Sequence, residues 1–156
     1  MKQKVSDYIA DYIANRGIRD VFTVTGGGAM HMNDAFGHHP KLHCTYQHHE
    51  QACAMAAEAY ARMDNRMAAV CVTTGPGATN AITGVLGCWM DSIPMLVFSG
   101  QARYATTVAA SGLKLRSMGV QECNIVPVVD SLTKYAQMVI DPKEIRYHLE
   151  KALYMA

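Results

Sequence analysis

Apolar and polar positions along the chain follow two periods, and these predict alternating strands and helices. Apolar residues recur at the helical period over residues 5–15, and Gly17 follows them as a stop signal. The short run at residues 21–24 has the composition of a strand. The next predicted elements are, in chain order, a helix at 29–36, a strand at 42–46, a helix at 50–63, a strand at 67–73, a helix at 78–90 and a strand at 93–99.

The last third of the chain is less regular. Residues 104–121 are polar and interrupted by glycine, which predicts a surface loop. A short helix at 126–132, a last strand at 134–140 and a final helix at 143–155 follow, with Pro142 at the favoured first turn. Because strands and helices alternate, we predict an α/β domain with three αβα layers around a parallel sheet of about five or six strands.

Composition narrows the possible classes of function. The chain has 156 residues, half of them apolar, which suits one domain with a sizeable core. Fourteen basic and thirteen acidic residues leave a formal charge of +1, which argues against nucleic acid or an anionic membrane as a partner. The five cysteines form no Cys-x-x-Cys pair, and the first residues lack the apolar core of a signal peptide. We therefore expect a reducing, cytoplasmic location.

Three features follow the predicted strands, where open parallel sheets bind their ligands. They are the loop Thr25-Gly26-Gly27-Gly28, the carboxylate of Glu50, and the loop Thr74-Gly75-Pro76-Gly77. Glycines allow a ligand to approach the backbone closely. A single carboxylate among apolar neighbours is suited to proton chemistry, so these features together predict a site in one crevice.

Each feature also has a simpler interpretation. The triple glycine fits a phosphate cradle, a close approach by an uncharged ring, or only a tight turn between a strand and a helix. Glu50 at a helix N-terminus fits simple stabilisation of the helix dipole. Five histidines between residues 38 and 49 invite a metal hypothesis, but their spacing matches no recognised ligand set, so no metal site is predicted.

Several motifs in order along the chain resemble the N-terminal, pyrimidine-binding domain of thiamine diphosphate enzymes of the acetolactate synthase group. The likeness covers nearly the whole chain. The motifs are Gly26-Gly27-Gly28, His49-Glu50-Gln51-Ala52, Ala57-Glu58-Ala59-Tyr60-Ala61-Arg62, Thr74-Gly75-Pro76-Gly77-Ala78-Thr79-Asn80, Met90-Asp91-Ser92-Ile93-Pro94, Ser99-Gly100-Gln101, Gln121-Glu122, Thr133-Lys134-Tyr135 and Asp141-Pro142.

The resemblance implies the thiamine diphosphate-binding fold and a catalytic role for Glu50. In this family the matching glutamate hydrogen-bonds the N1′ atom of the cofactor's aminopyrimidine and activates the cofactor toward a 2-oxo acid. Gln121 would point to the substrate side. The residues that would bind the cofactor are Thr25, Gly26, Glu50, Thr73, Thr74, Gly75, Pro76 and Asn80.

The resemblance also implies a partner, because the family holds the diphosphate and its magnesium through a second domain that carries Gly-Asp-Gly. This chain contains no Gly-Asp-Gly. We therefore expect residues 1–156 to be one domain of a longer chain, inactive alone. It would act beside a pyrophosphate-binding domain of another subunit in a homodimer or higher oligomer, and FAD is possible in the full-length enzyme. No metal ligand is expected in this domain.

Two other functions stay open at this point. The chain resembles the stand-alone alpha subunit of a two-chain 2-oxo acid decarboxylase, or it is a non-catalytic assembly or regulatory module. It departs from the family at Val24-Thr25, where tyrosine-proline is common, and at Val120, where phenylalanine is common. The segment 104–119 is also longer than usual, which leaves the pathway open between branched-chain amino acid biosynthesis and a sugar-related one.

Overall fold

The structure is a computed structural model that describes residues 2–156, except for the side chain of Asp64. Within that range the helices are α1 (Val5–Asn15), α2 (Met30–His38), α3 (Glu50–Asp64), α4 (Pro76–Asn80), α5 (Ile82–Asp91), α6 (Val108–Ser111), α7 (Val126–Val129) and α8 (Ile145–Met155). The strands are β1 (Asp20–Thr23), β2 (His43–Tyr46), β3 (Ala68–Val72) and β4 (Met95–Ser99). Short 3-10 turns occupy Gly27–Ala29, Tyr104–Thr106, Asp130–Leu132 and Pro142–Glu144.

The strands form one parallel sheet in the order β2-β1-β3-β4. Val21 of β1 lies opposite Cys44 of β2 on one side and Ala69 of β3 on the other. Val70 of β3 pairs with Val97 of β4. The predicted parallel sheet is confirmed, with four strands in the described residues instead of the about five or six expected from the alternation of elements.

Helices cover both faces of the sheet, which confirms the predicted αβα layers. Every residue of β3 is buried, and successive side chains point to opposite faces. Ala69 and Cys71 belong to the core that includes residues of α1, α2 and α8. The other three β3 residues pack with α3 and the 78–81 region in a second core. This double coverage explains why the β3 sequence is apolar throughout instead of alternating.

The layer formed by α3 is packed closely because its inner side chains are small. Cys53, Ala54 and Ala57 are buried against the sheet and the neighbouring helix. A Cβ atom placed on Gly84 of α5 would lie 2.5 Å from the Cβ of Ala54. The two helices therefore approach each other more closely than larger side chains would permit.

The segment 134–140, predicted as a last strand, is not a strand in the structure. Its backbone does not pair with β4 within the described residues, and a cavity of about 770 Å³ lies between them. Its Tyr135 turns instead to α8, where the hydroxyl lies 2.5 Å from Nδ1 of His148. The ammonium of Lys151 lies 4.6 Å from the centre of the Tyr135 ring. These contacts hold the segment on α8 instead of on the sheet edge.

One helix prediction and one loop prediction also need correction. The single helix expected at 78–90 is divided into α4 and α5, because Ala81 donates its N–H to Ala78 three residues back and tightens the turn. The loop expected at 104–121 contains a 3-10 turn and the four-residue α6. The final helix, predicted over residues 143–155, begins with the 3-10 turn Pro142–Glu144 and becomes α-helical at Ile145, and the Asp141 side chain accepts the Lys143 N–H at 2.9 Å. Among the helices described, none has the length and apolar character needed to span a membrane.

Candidate active site

Glu50 is the first residue of α3 and lies just beyond the carboxyl end of β2. The helix starts there because His49 has an extended backbone and its Nδ1 accepts the Gln51 N–H at 3.1 Å. A carboxylate in the first turn is also favoured by the helix dipole. The Glu50 side chain is half-buried, so the carboxylate is at the surface of the crevice that follows the strands.

The two oxygens of the Glu50 carboxylate have different surroundings. Oε2 accepts a hydrogen bond from the side-chain amide of Asn80 at 3.0 Å. Oε1 faces Gly77, where an added Cβ would lie only 3.3 Å away. None of the described residues donates a hydrogen bond to Oε1. One oxygen is therefore held by the protein and the other remains available beside a glycine.

Three glycines lie against the side chain of Thr73. An added Cβ on Gly26 would lie 2.4 Å from the Cβ of Thr73, and one on Gly77 would lie 2.7 Å from its Cγ2. The N–H of Gly28 donates to the Thr73 hydroxyl at 3.0 Å. The loop after β1 and the loop after β3 therefore pack directly against each other, which only glycine permits.

The loop after β3 is fixed on its other side by residues 101 and 121. Gly75 has φ 61° and ψ −117°, and an added Cβ would lie 2.2 Å from the carbonyl oxygen of Gln121. The Thr74 hydroxyl donates to the Gln101 side-chain oxygen at 2.7 Å and lies 3.2 Å from the same Gln121 carbonyl. Gln121 therefore borders the site through its backbone, while its side chain is exposed.

The triple-glycine loop does not present an array of free N–H groups to a phosphate. The Gly26 N–H points to the Asn33 side-chain oxygen at 3.4 Å, and the Gly28 N–H is taken by Thr73. These internal bonds disfavour the phosphate cradle considered from the sequence. They favour a loop that packs tightly and leaves room for a flat group.

The structure brings most of the sequence-predicted residues together. Glu50, Asn80, Thr73 and Gly26 meet around Gly77, and Thr74, Gly75 and Gln121 form the adjoining wall. Pro76 is the exposed first residue of α4. Thr25 is exposed beyond β1, and its side chain makes no hydrogen bond to the other predicted residues within the described part of the chain.

Asn33 and Gln101 support the site but were given no role from the sequence. Asn33 of α2 donates to the Thr23 hydroxyl at 3.0 Å, and its oxygen faces the Gly26 N–H. Gln101 donates to the Cys123 carbonyl at 2.7 Å while it accepts from Thr74. The only signal that could have identified Asn33 is a polar residue at a half-buried position of a helix that also buries Ala35 and Phe36.

Cys53 lies one turn after Glu50 and is completely buried. Burial, with a smaller contribution from the nearby Glu50 charge, raises the pKa of its thiol to about 11. The thiol is therefore protonated at neutral pH and is not a nucleophile in this site. This leaves the carboxylate of Glu50 as the group in this region that is suited to proton transfer.

Three of the five crowded histidines pair with separate carboxylates. Nδ1 of His38 lies 3.1 Å from Asp34, and Nε2 of His39 lies 3.2 Å from Asp11. Nδ1 of His43 lies 3.3 Å from Asp20. Within residues 2–156, no three His, Cys, Asp or Glu side chains are grouped in a way that could hold a metal ion.

Comparison with known families matches residues 3–118 to the thiamine pyrophosphate enzyme N-terminal TPP-binding domain. The matched range contains the two glycine loops, Glu50 and Asn80. The chain belongs to this family. Thiamine pyrophosphate is the cofactor also called thiamine diphosphate, and the resemblance seen in the motifs is thereby confirmed.

Curated relatives agree with the family match. The chain is 33% identical to acetolactate synthase 2, chloroplastic, of Zea mays over 99% of its own length and 23% of the relative's length. It is 35% identical to the acetolactate synthase large subunit of Buchnera aphidicola, over 92% of the chain and 24% of the relative. The corresponding Haemophilus influenzae protein is 33% identical over 97% and 25%. The chain thus spans about a quarter of the length of these relatives.

By this match the chain is an N-terminal thiamine pyrophosphate-binding domain. The Glu50 crevice is open on the outer side, where Asn80 and Pro76 are exposed. The predicted cofactor-binding residues all lie within the matched range.

Proposed function

We propose that this chain is the pyrimidine-binding half of a thiamine diphosphate-dependent enzyme that acts on 2-oxo acids. The reaction would be an acetolactate synthase-like decarboxylation and carboligation. Glu50 would be the catalytic residue, through a hydrogen bond in which its carboxyl group and a nitrogen of the cofactor's pyrimidine ring share a proton. The observation that carries the proposal is the Glu50 carboxylate, which keeps one oxygen free beside Gly77 in a chain of this family.

The residues present fit an uncharged, flat ring. Three glycines, at positions 26, 75 and 77, add no side chains to the walls of the crevice. The hydroxyl groups of Thr73 and Thr74 form hydrogen bonds within the protein. Asn80 holds the carboxylate from one side and leaves the other side open. Thr25 and Pro76 would contact the ring or the partner from the exposed rim, and Gln121 would border the substrate.

Bound thiamine diphosphate supplies the carbon nucleophile and the electron sink that decarboxylation of a 2-oxo acid requires. The contribution of this chain would be to orient the ring, to exclude water from its edge and to hold a proton-accepting carboxylate at one ring nitrogen. The diphosphate and its Mg²⁺ would be held by the pyrophosphate-binding partner domain, since residues 2–156 offer no metal cluster. A flavin, FAD, is possible in the full-length enzyme.

We further propose that residues 1–156 form one domain of a longer chain, supported by the greater length of the relatives. The domain alone would be inactive, because it offers only one wall of the site. It would work as a homodimer or higher homo-oligomer in the cytoplasm, with the pyrophosphate-binding domain of a partner subunit facing Glu50.

The direct test is Glu50→Gln in the assembled enzyme, in which this chain meets its pyrophosphate-binding half. Glutamine keeps the size of the side chain but removes the charge and the basic oxygen. We expect kcat to fall by about 10²–10⁴-fold, which is the usual contribution of a positioned general acid or base to the rate. Cofactor affinity, measured by fluorescence titration, should change by less than about threefold because the diphosphate is held elsewhere.

Glu150→Gln is the matched control. Glu150 is a half-buried glutamate on α8 whose carboxylate pairs with Arg146 at 2.9 Å, away from the crevice. Its kcat should be that of the unmodified enzyme. Full activity in the Glu50→Gln enzyme would contradict the catalytic role and would favour a non-catalytic assembly or regulatory module.

A further inference from the structure

Helix α3 and the helical stretch α4–α5 run side by side in the same direction, with contacts once per turn. From one contact to the next, the residue number increases by three or four, about one helical turn, on both helices. The two helices are therefore parallel and in register. The successive contacts are Glu50 with Asn80, Ala54 with Gly84, Glu58 with Gly87, and Arg62 with Asp91.

The central contacts set how close the helices lie. A Cβ on Gly84 would be 2.5 Å from the Cβ of Ala54 and 2.9 Å from the backbone nitrogen of Met55. A Cβ on Gly87 would be 3.0 Å from a carboxylate oxygen of Glu58. At the far end the guanidinium of Arg62 joins Glu58 at 2.6 Å and also pairs with Asp91. These contacts prevent one helix from shifting along its axis relative to the other.

The register brings the Asn80 amide to the Glu50 carboxylate at the near end. The turn at Ala81 separates α4 from α5 immediately after Asn80. The resulting hydrogen bond to Oε2 is 3.0 Å long. An amide is a neutral donor, so it orients the carboxylate without forming an ion pair with it.

We propose that Asn80 is a positioning residue that orients the Glu50 carboxylate toward the cofactor. This inference rests on the proposed function of Glu50. By occupying Oε2, the Asn80 amide restricts rotation of the carboxylate and leaves Oε1, beside Gly77, as the oxygen that meets the pyrimidine ring. In this role Asn80 acts on the reaction through the orientation of Glu50, whereas a residue that only shapes the wall of the crevice would affect cofactor binding alone.

The test follows proton removal from the bound cofactor in the assembled enzyme. The exchange rate of the thiazolium C2 hydrogen with deuterium from solvent is measured by quenched-flow NMR, together with the cofactor dissociation constant. Asn80→Ala should slow exchange about tenfold, since a hydrogen bond to a charged group is lost. Asn80→Asp has nearly the same shape but places a second carboxylate next to Glu50, and it should slow exchange further. Cofactor affinity should change by less than about threefold in both variants.

Thr83→Ala is the control, because Thr83 is exposed on α5 one turn beyond Asn80 and should exchange at the unmodified rate. An unchanged exchange rate in Asn80→Ala overturns the positioning role. A slower exchange rate that is fully explained by weaker cofactor binding also overturns it. Glu50→Gln separates the two hypotheses in the same assay. Slow exchange in Glu50→Gln with normal exchange in Asn80→Ala removes only the role of Asn80, whereas normal exchange in Glu50→Gln removes the proposed function itself.

Discussion

Thr73 shows how single residues build the site. It touches the glycine loops that follow β1 and β3, and its hydroxyl accepts the Gly28 N–H. The sequence pattern correctly placed these loops at one edge of the sheet, because parallel strands end together. It could not reveal that Thr73 joins them, since the contact depends on distances of closest approach that a spacing pattern does not contain.

Gly75 gives a test at the residue scale. Its backbone angles of φ 61° and ψ −117° are strained for any other residue, and an added Cβ would collide with the Gln121 carbonyl. Gly75→Ala should therefore lower the free energy of unfolding by about 1–3 kcal/mol in urea denaturation at pH 7.

Gly27→Ala is the comparison for that variant. Gly27 lies in the other glycine loop, and nothing would lie within 4 Å of an added Cβ. Its effect should stay within about 0.5 kcal/mol. Equal effects of the two substitutions would show that backbone conformation and contact at Gly75 do not shape the loop.

The element scale separates what periodicity can predict from what it cannot. The bounds of α1 and α3 and the four strands follow closely from apolar spacing and glycine signals. The break at Ala81 was not visible, because small residues on both sides read as one continuous helix. The segment 134–140 has the composition of a strand. Composition does not tell whether such a segment pairs with the edge of the sheet or packs on a helix, as this one does through the contact of Tyr135 with α8.

Glu122 organises the loop beside the site. Its carboxylate accepts the backbone N–H groups of Val108 at 2.7 Å, Met118 at 3.1 Å and Gly119 at 3.0 Å. The Gly119 N–H, followed by those of Val108 and Met118, holds the pKa of the Glu122 carboxyl below its ordinary value of 4.5. Sequence reasoning placed Glu122 in a motif but gave it no role, because no spacing rule marks a side chain that binds a loop backbone.

Glu122 predicts a pH dependence with a definite sign. Because the folded-state pKa is lowered, the charged carboxylate stabilises the loop at pH values above 4.5, and this stabilisation is lost as the pH falls below 4.5 through the folded-state pKa. At pH 7, Glu122→Gln should increase amide hydrogen exchange at Val108, Met118 and Gly119. Glu150→Gln, which removes a carboxylate bonded to a side chain, should leave these amides protected. Unchanged protection in Glu122→Gln would refute the role of Glu122.

At the scale of the whole molecule, the helix pair next to the site exposes large apolar side chains. Leu86 and Met90 of α5 and Met55 of α3 are exposed, with Met90 at 74%. Exposed apolar groups of this kind mark surfaces that bind another protein. These side chains lie on α3, which carries Glu50, and on the neighbouring α5, which is consistent with the proposed partner domain covering this helix pair.

The exposed face predicts that the chain alone self-associates as its concentration rises. Analytical ultracentrifugation of Leu86→Glu and Met90→Glu should show a clear shift toward monomer, because each substitution places a charge on the apolar face. Tyr154→Glu is the control, since Tyr154 on α8 is 88% exposed but lies on a different helix. A chain that stays monomeric, or variants that associate as before, would exclude this face as the interface.

The central claim is that Glu50 of this chain meets the pyrimidine ring of thiamine diphosphate. The most direct measurement is a crystal structure of the assembled enzyme with the cofactor bound. We expect Oε1 of Glu50 to lie about 2.6–3.2 Å from a ring nitrogen, with Gly26 and Gly77 against the ring and Asn80 still bonded to Oε2. A ring bound elsewhere, or a Glu50 carboxylate beyond hydrogen-bond reach of it, would contradict the claim.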